Sequence, residues 1–469
     1  MTVDTDVLIV GAGPTGLALG IDLARRGVAA LLVDGADGLF PGSRGKGIQP
    51  RTMEVFDDLG VLPAIRAHGG PYPVQLIWRD GQRVGERTMF DPTEPSAGAP
   101  YAEPWMVPQW RTQEILAARL AELGGRIVFG RRAVGLDQDP DGVTVRFADG
   151  PPLRARYAVG ADGGRSAVRR ALGTGMTGET VDPDPALVAD LRITGLDRGH
   201  WHVFPPREDG GGFLALCPLA GTDEFQLVAR FPADTAPDPT PDGIRAVVAA
   251  RSHLTAADVT EVRWASVFQP RAALADRFRS GRVLLAGDAA HIHSPAGGQG
   301  LNTSVQDAYN LGWKLGAVLT AGAPESLLAT YEEERRAVAT AMLGLSTAVH
   351  RGEIRRGPAT QQLGLGYRDS SLTAETRSTV TGVRAGDRAP DGTVGGVRLF
   401  DAFRGPHWTL LGADAADAVR RPGLRTVPGP APAPYGPGLF LVRPDGYVGW
   451  AGDTTAGIPR YLARYGGSE

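Results

Sequence analysis

The chain contains 469 residues, 42% of them hydrophobic and 22% charged, and carries a formal net charge of −3 at pH 7. This composition is typical of a globular protein of two or three domains, and it provides no overall attraction to nucleic acid or to an anionic membrane. The single cysteine, Cys217, excludes a disulfide within the chain and a zinc site made of several thiolates.

The first apolar stretch, residues 7–24, reads VLIVGAGPTGLALGIDLA and has no basic region before it. Its glycines, Pro14 and Asp22 argue against a signal peptide and a transmembrane helix, so we expect a cytoplasmic protein. The stretch instead begins a pattern typical of nucleotide-binding proteins.

That pattern is a strand, a glycine-rich turn and a helix. The apolar run DVLIV is followed by GAGPTG, with Gly11, Gly13 and Gly16 in G-x-G-x-x-G spacing, and then by the helical pattern LALGIDLARRG. The first glycine permits the turn, the second lets a pyrophosphate approach the backbone, and the third lets helix and strand pack closely. The next strand, AALLVD, ends in Asp34, which can bind a ribose and favours FAD or NAD over NADP. The alternative is a turn that binds no ligand.

Two later strands also end in an acid beside glycine. YAVGAD ends in Asp162, and GRVLLAGD ends in Asp288. Between them, residues 176–275 alternate in short runs such as ALVADLRI and EFQLVARF, which predicts an antiparallel sheet. After Asp288, a link rich in glycine leads into the helical pattern LNTSVQDAYNLGWKLGAVL.

The C-terminal part is predicted to be helical over residues 310–350 and to form short strands after the Gly/Pro-rich boundary GVRAGDRAPDG. Within it, PDGYVGW indicates a hairpin that turns at Asp445 and Gly446.

The motifs GAGPTG, GADGGRSAVRR and GDAAHIHSPAGGQGLNTSVQDAYNLGWKL together resemble those of the single-component, FAD-dependent aromatic hydroxylases, the flavoprotein monooxygenases typified by p-hydroxybenzoate and phenol hydroxylases. The resemblance covers most of residues 3–345 and points to members that act on polyketides, antibiotics and phenols. It implies an α/β fold with a Rossmann-like FAD-binding domain, a β-sheet substrate domain and a C-terminal thioredoxin-like domain. Because the tail lacks cysteine, we expect it to serve packing or oligomer stability rather than redox chemistry.

The domains that the resemblance implies divide the chain into four segments. Whether two chains form a homodimer is left open by the sequence. The segments are residues 1–175 (first part of the FAD-binding domain, with a substrate-domain excursion near 72–100), 176–275 (substrate-binding sheet), 276–375 (second part of the FAD-binding domain and helices) and 382–469 (thioredoxin-like domain).

The resemblance also implies the FAD contacts. Asp288 would bind ribityl or ribose hydroxyls, the segment at Pro295 would lie along the isoalloxazine ring, and the backbone from Gly300 would meet the pyrimidine edge. The helix that begins near Leu301 would stabilise reduced, anionic flavin by about 0.3–2 kcal/mol. The expected cofactor-binding residues are Gly11, Gly13, Thr15, Gly16, Asp34, Arg44, Lys46, Gln109, Val134, Asp162, Asp288, Pro295, Gly298, Gly300, Leu301 and Asn302.

The implied reaction uses NADPH or NADH to reduce FAD, after which O2 forms a C4a-hydroperoxide that hydroxylates a small aromatic, polyketide-type substrate. No second G-x-G-x-x-G follows a later strand, so the nicotinamide is expected to bind transiently. The hydroperoxide requires few protein groups, and no catalytic side chain is predicted. Substrate contacts are sought in the middle sheet, where the candidates by location are Trp201, His202, Phe204, Phe213 and Gln226.

Three alternative functions also have to be compared with the sequence. The first is Baeyer–Villiger oxidation or inactivation of an antibiotic, which the same scaffold supports. The second, from a different functional class, is a protein that binds FAD without catalysing a reaction. A flavin halogenase is disfavoured because its W-x-W-x-I-P motif is absent. His291 and His293 form an H-x-H pair without a third ligand at recognisable spacing, so no metal site is predicted.

Overall fold

The computed structural model describes residues 3–207, 212–413, 415 and 421–465. Its main elements are two large sheets with a cavity between them, helices that cover the first sheet, and a smaller C-terminal sheet. The predicted α/β fold class is confirmed. Within the described ranges, no helix combines the length and the apolar character needed to cross a membrane.

The central sheet forms the core of the first half. Its strands lie in the order Arg279–Ser280, Val283–Leu285, Leu153–Gly160, Thr5–Val10, Ala30–Val33 and Ile127–Val128, with Gly142–Phe147 and Ala133–Asp139 joined antiparallel beside Leu153–Gly160. The inner strands read as continuous apolar runs because they are buried, including residues 7–10, 157–160 and 283–285. The helices Pro14–Ala24, Gln109–Glu122 and Gly300–Thr320 pack together there.

The parallel pairing of the inner strands brings the sequence motifs together. Thr5–Val10 pairs in parallel with both Ala30–Val33 and Leu153–Gly160, and the latter pairs in parallel with Val283–Leu285. The carboxyl ends of all these strands therefore meet at one edge, which is where ligands bind in open α/β sheets. Each of the predicted acids follows one of these ends.

The middle sheet is a mixed sheet of seven strands. In order they are Val259–Phe268, Ala186–Ile193, Phe225–Arg230, Leu214–Pro218, His200–Phe204, Val74–Arg79 and Gln82–Arg87. The last two come from the predicted excursion near residues 72–100. Helix Pro241–Arg251 covers one face through Ile244 and Val248, while the other face is directed at the central sheet.

Short elements join the two large sheets. One three-stranded sheet comprises Met176–Thr180, Arg271–Ala275 and His291–Ile292. A second comprises Gly47–Ile48, Trp105–Met106 and Gly70–Pro71. The remaining helices of this part are Pro50–Asp58, Leu62–Ala67, Ala167–Ala171, Ala329–His350 and Pro358–Gln361.

The C-terminal sheet lies against the helices of the core. Its strands, in order, are Ala374–Glu375, Val448–Gly452, Leu439–Val442, Trp408–Gly412 and Leu424–Pro428; the hairpin Thr393–Val394/Val397–Arg398 and the helices Leu399–Phe403 and Ile458–Ala463 flank it. The predicted hairpin is present, with Gly446 at φ +76°. Buried Glu334 binds Arg443 at 2.6 Å and Lys314 at 2.7 Å, which ties this sheet to the core. The likeness to thioredoxin and the domain boundaries stay predictions.

Candidate functional site

A cavity of about 2030 Å³ lies between the carboxyl edge of the central sheet and the open face of the middle sheet. It is large enough for a dinucleotide and a second, smaller molecule, since ordinary ligand pockets span roughly 300–1,000 Å³. Basic side chains lining it outnumber acidic ones two to one, which favours an anionic ligand. The basic residues are Arg44, Lys46, Arg87, Arg131, Arg132, Arg165, Arg170, Arg230, Arg355 and Arg356, and the acidic ones are Asp34, Asp91, Asp162, Asp184 and Asp288.

The glycines of the first turn are required for different reasons. Gly11 has φ +115°, and a Cβ there would lie 2.3 Å from the carbonyl oxygen of Ala161. A Cβ on Gly16 would lie 2.0 Å from the carbonyl oxygen of Gly11. A Cβ on Gly13 would meet no atom within 4 Å. Packing within the protein therefore explains Gly11 and Gly16, whereas the bare backbone at Gly13 faces open space that a pyrophosphate would fill.

Asp34 and Asp162 use their carboxylates to brace the loops in which they stand. Asp34 accepts hydrogen bonds from the backbone N–H groups of Ala12 at 2.7 Å and Ala36 at 2.8 Å. Asp162 accepts from the Ser166 hydroxyl at 2.5 Å and from the N–H of Ala167 at 2.7 Å, at the start of a short helix. Both residues also line the cavity.

Asp288 differs from the other two acids because no hydrogen bond or ion pair engages its side chain in the described part of the chain. The side chain is open to the cavity although it lies deep below the outer surface. Burial raises the pKa of this carboxyl, and the charges of His291 and Arg44 act in the opposite direction. Of these three strand-end acids, Asp288 is thus the one with both carboxylate oxygens available to accept hydrogen bonds from a ligand.

The glycine-rich link ends at the start of a long helix. Pro295–Gly297 forms one helical turn, Gly298 takes φ +63°, and the helix Gly300–Thr320 begins at the cavity wall. The first N–H groups of a helix have no partner within it and present a positive dipole end. Gly297 is crowded by protein, since a Cβ there would lie 3.1 Å from the Cα of Ser346, so packing alone accounts for a glycine at this position.

The expected cofactor-binding residues all line the cavity except Gly16, Val134 and Asn302. Val134 is 58% exposed, while its neighbour Ala133 lines the cavity. Asn302 is fully buried, and its side chain binds the backbone of Gln49, Gly47 and Gly298. Its role in this structure is to hold the loop and the helix start together.

A buried ionic group beneath the link was missed by sequence reasoning. Asp307 accepts hydrogen bonds from His291 Nε2 at 2.5 Å, from Arg335 Nε at 2.7 Å and from the N–H of Gly287 at 3.0 Å. Burial alone would raise the pKa of Asp307, but the charges of His291 and Arg335 lower it to about 2. His293 Nε2 lies 3.0 Å from His291 Nδ1 and connects this group to the cavity. The spacing of the histidines carried no signal for the distant Arg335.

The predicted substrate candidates separate into two groups. Trp201, Phe213 and Gln226 line the cavity, whereas His202 and Phe204 point to the opposite face of the sheet and pack near Trp78. Lys46, directly before the short strand Gly47–Ile48, contacts the middle sheet, because its Nζ donates to Gln226 Oε1 at 2.6 Å.

Residues 4–346 match the family model described as FAD binding domain. The chain is 46% identical to a flavin-dependent monooxygenase of Mycobacteroides abscessus, covering 98% of this chain and 99% of that protein. It is 34% identical to a rifampicin monooxygenase of Rhodococcus hoagii, with 99% and 98% covered. Among solved structures, a ternary complex of aklavinone-11 hydroxylase with FAD and aklavinone superposes with a TM-score of 0.85 at 31% identity, covering 99% of each chain.

Proposed function

This chain belongs to the family of FAD-dependent monooxygenases, and on that premise we propose that it uses NADPH or NADH and O2 to hydroxylate an aromatic, polyketide-type substrate. The predicted family and the predicted FAD cofactor are confirmed by the comparisons. The nicotinamide, the use of O2 and the substrate class are our proposal. We also propose the domain limits given above. Residues 1–175 and 276–375 would form the FAD-binding domain with its helices, residues 176–275 the substrate-binding sheet, and residues 382–469 the thioredoxin-like domain.

The observation that supports the proposal most strongly is the convergence of the vacant backbone at Gly13, the unengaged carboxylate of Asp288 and the helix start at Gly300 on one cavity. We propose that Gly13 and Thr15 receive the pyrophosphate, that Asp34 and Asp288 accept from hydroxyl groups, and that Gly300 and Leu301 donate to the flavin edge. Arg44, Gln109 and Asp162 stand within the same cavity wall.

Bound FAD would supply hydride acceptance from the nicotinamide and activation of O2 for insertion of one oxygen atom. The overall balance is substrate–H, NAD(P)H, H⁺ and O2 giving substrate–OH, NAD(P)⁺ and water. The chain's own residues bind and orient. The N–H groups at the start of Gly300–Thr320 stabilise negative charge, and the middle sheet keeps water from the reacting face.

The open face of the middle sheet supports a flat, largely apolar substrate. Ala215, Val188 and Val228 lie in one cross-strand row on the cavity side, with Phe213 and Phe268 nearby. These side chains are all apolar, as is typical of pockets that take polycyclic molecules. The aklavinone complex of the similar hydroxylase is in accord with such a ligand.

Anaerobic reduction of the FAD-loaded protein tests the proposal. NADH and NADPH would be mixed with the enzyme in the presence and absence of a panel of aromatic polyketides, and the products analysed by mass spectrometry after O2 is admitted. We expect flavin reduction to accelerate with a substrate and the product to gain one oxygen atom. Failure of both nicotinamides to reduce the flavin with every ligand would contradict the proposal.

A second candidate is the inactivation of an antibiotic by oxygenation on the same scaffold, including Baeyer–Villiger chemistry. The similarity to a rifampicin monooxygenase over nearly the full chain favours this candidate. The same incubation distinguishes the two, because ring opening or ester formation changes the fragmentation pattern in a way that ring hydroxylation does not.

A further inference from the structure

The two lysines of the chain, Lys46 and Lys314, are both buried but are compensated differently. Lys314 forms an ion pair with Glu334 at 2.7 Å. Lys46, only 8% exposed, forms no ion pair within 4.0 Å in the described residues. Removing an ammonium from water costs several kcal/mol unless an anion compensates it. Lys46 lines the cavity, so the missing anion can come from a ligand.

The position of Lys46 is held by the middle sheet. Its Nζ donates to Gln226 Oε1 at 2.6 Å and lies 4.3 Å from the centre of the Trp201 ring. The Gln226 amide is itself oriented, because its Nε2 donates to the carbonyl of Ser43. An ammonium has three protons, and the hydrogen bond to Gln226 uses one of them. The buried Cys217 thiol also interacts with this ammonium. The remaining proton is available to a molecule in the cavity.

Two neutral donors lie beside this ammonium. The Trp201 Nε1–H is buried and has no hydrogen-bond partner in the part of the chain that the structure describes, and the Tyr72 ring stands 6.3 Å from the Trp201 ring. The Tyr72 hydroxyl makes no hydrogen bond among the described residues, and burial raises its pKa, so it keeps its proton at neutral pH. Both residues line the cavity.

We propose that Lys46, with Trp201 and Tyr72, forms an anchor for an ionised hydroxyl group on the aromatic substrate. The inference rests on the proposed function and narrows the substrate class to aromatic compounds that carry an acidic phenol or enol. Lys46 thereby becomes a specificity-determining residue of the substrate side of the cavity rather than a contact of FAD.

The surroundings of Lys46 favour a substrate over the cofactor. Its contacts, Gln226 and Trp201, stand in one cross-strand row of the middle sheet together with Cys217 and Asp190. Cys217 remains a thiol, since burial raises its pKa. Asp190 also stands on that row; burial raises its pKa to about 6, while the charge of Lys46 acts in the opposite direction. Among the described residues the two groups lie beyond the 4.0 Å of an ion pair. The expected FAD contacts Gly13, Asp34 and Asp288 belong to the edge of the central sheet instead.

The experiment compares two probes that differ by one methyl group, 2-hydroxyanthraquinone and 2-methoxyanthraquinone. Their binding to the FAD-loaded protein is measured by absorbance titration in a buffer below the pKa of the free phenol. We expect the hydroxy probe to bind about tenfold or more tightly than the ether and to show the absorption of its anion, as a charge-assisted hydrogen bond implies. Lys46→Met should abolish both effects, and Lys46→Arg should retain them.

FAD content and reduction by NAD(P)H are recorded for every variant, which separates this proposal from the function on which it rests. Loss of FAD from Lys46→Met would assign Lys46 to the cofactor and overturn the anchor. Equal binding of the two probes to the unmodified enzyme, or a phenol preference that survives in Lys46→Met, would also overturn it. An enzyme that binds the anion yet is not reduced would contradict the monooxygenase reaction and leave the anchor standing.

Discussion

Asn302 Oδ1 accepts a hydrogen bond from the backbone N–H of Gln49 at 2.8 Å, and its Nδ2 donates to the carbonyls of Gly47 and Gly298 at 2.9 Å each. One amide therefore joins the start of helix Gly300–Thr320 to the loop that carries Lys46. This connection sets the spacing between the wall expected to face the flavin and the wall expected to face the substrate.

Replacing Asn302 by Ala would leave three backbone groups without partners. We expect the free energy of unfolding to fall by about 2–4 kcal/mol. Each buried backbone group left unpaired costs roughly 1–3 kcal/mol, and a water molecule that enters the space of the lost amide would bind some of these groups and offset part of the loss. Urea denaturation of the FAD-loaded protein measures this change. The matched control is Gln82→Ala on an exposed strand. Equal stability of the two variants would show that the Asn302 connection is not needed.

Gly13 and Gly16 form a matched pair for separating packing from cofactor binding. Gly16→Ala should destabilise the fold, because its Cβ would lie 2.0 Å from a backbone oxygen. Gly13→Ala should leave the melting temperature of the FAD-free protein unchanged and weaken FAD binding about tenfold or more, because the methyl group enters the space of the pyrophosphate. Thermal melting and FAD titration are the measurements. Full FAD affinity in Gly13→Ala would place the pyrophosphate elsewhere.

Asp288→Ala tests the strand-end acid whose carboxylate is engaged by no group in the described residues. Its carboxylate is expected to accept hydrogen bonds from FAD hydroxyls, and a hydrogen bond to a charged group contributes about 1.5–3 kcal/mol, so affinity should fall roughly 10- to 100-fold. Fluorescence of released flavin after gel filtration reports the loss. Asp91→Ala, another acid of the cavity wall, is the control and should retain its flavin. Unchanged occupancy in Asp288→Ala would refute the role.

The pH dependence of stability should contain a contribution from His293. Burial, followed by the charge of His291, lowers the pKa of His293 to about 3 from its ordinary value near 6.5. The unfolded chain therefore binds a proton at a pH where the folded chain does not, so stability is full above about pH 6.5 and falls as the pH decreases toward 3.

Equilibrium unfolding in urea between pH 7 and pH 4 measures this slope. His293→Gln removes the titrating group and should make the decline shallower. His68→Gln, which removes an exposed imidazole away from the cavity, is the control. A slope that His293→Gln leaves unchanged would mean that the imidazole is already charged in the folded protein.

Local patterns were sufficient for the parts of the site that depend on neighbours in the chain. A strand of apolar residues, a turn that needs φ +115° at Gly11 and a helix with a close contact at Gly16 are all determined within a few residues. The acids Asp34, Asp162 and Asp288 were placed at strand ends for the same reason. The hairpin at Gly446 likewise depends only on its own turn.

Adjacent positions show where local reasoning was insufficient. Val134 was expected among the cofactor-binding residues, whereas in the structure Ala133 lines the cavity and Val134 is 58% exposed. Side chains alternate between the two faces of a strand, so an error of one residue reverses the direction. Pattern alone does not determine that register at the start of a strand.

What the sequence by itself determined is a dinucleotide motif and the edge of the central sheet where the motifs meet, because these follow from short-range spacing and from the parallel order of strands. The resemblance of its three motifs to those of FAD-dependent hydroxylases added the family and the cofactor. What only the tertiary structure decided is the use of each polar group. Asp34 and Asp162 brace backbone N–H groups while Asp288 stays unengaged, and Lys46 meets Gln226 from a distant strand. Such pairings depend on distances between segments far apart in the chain, and those distances are set only when both sheets have packed.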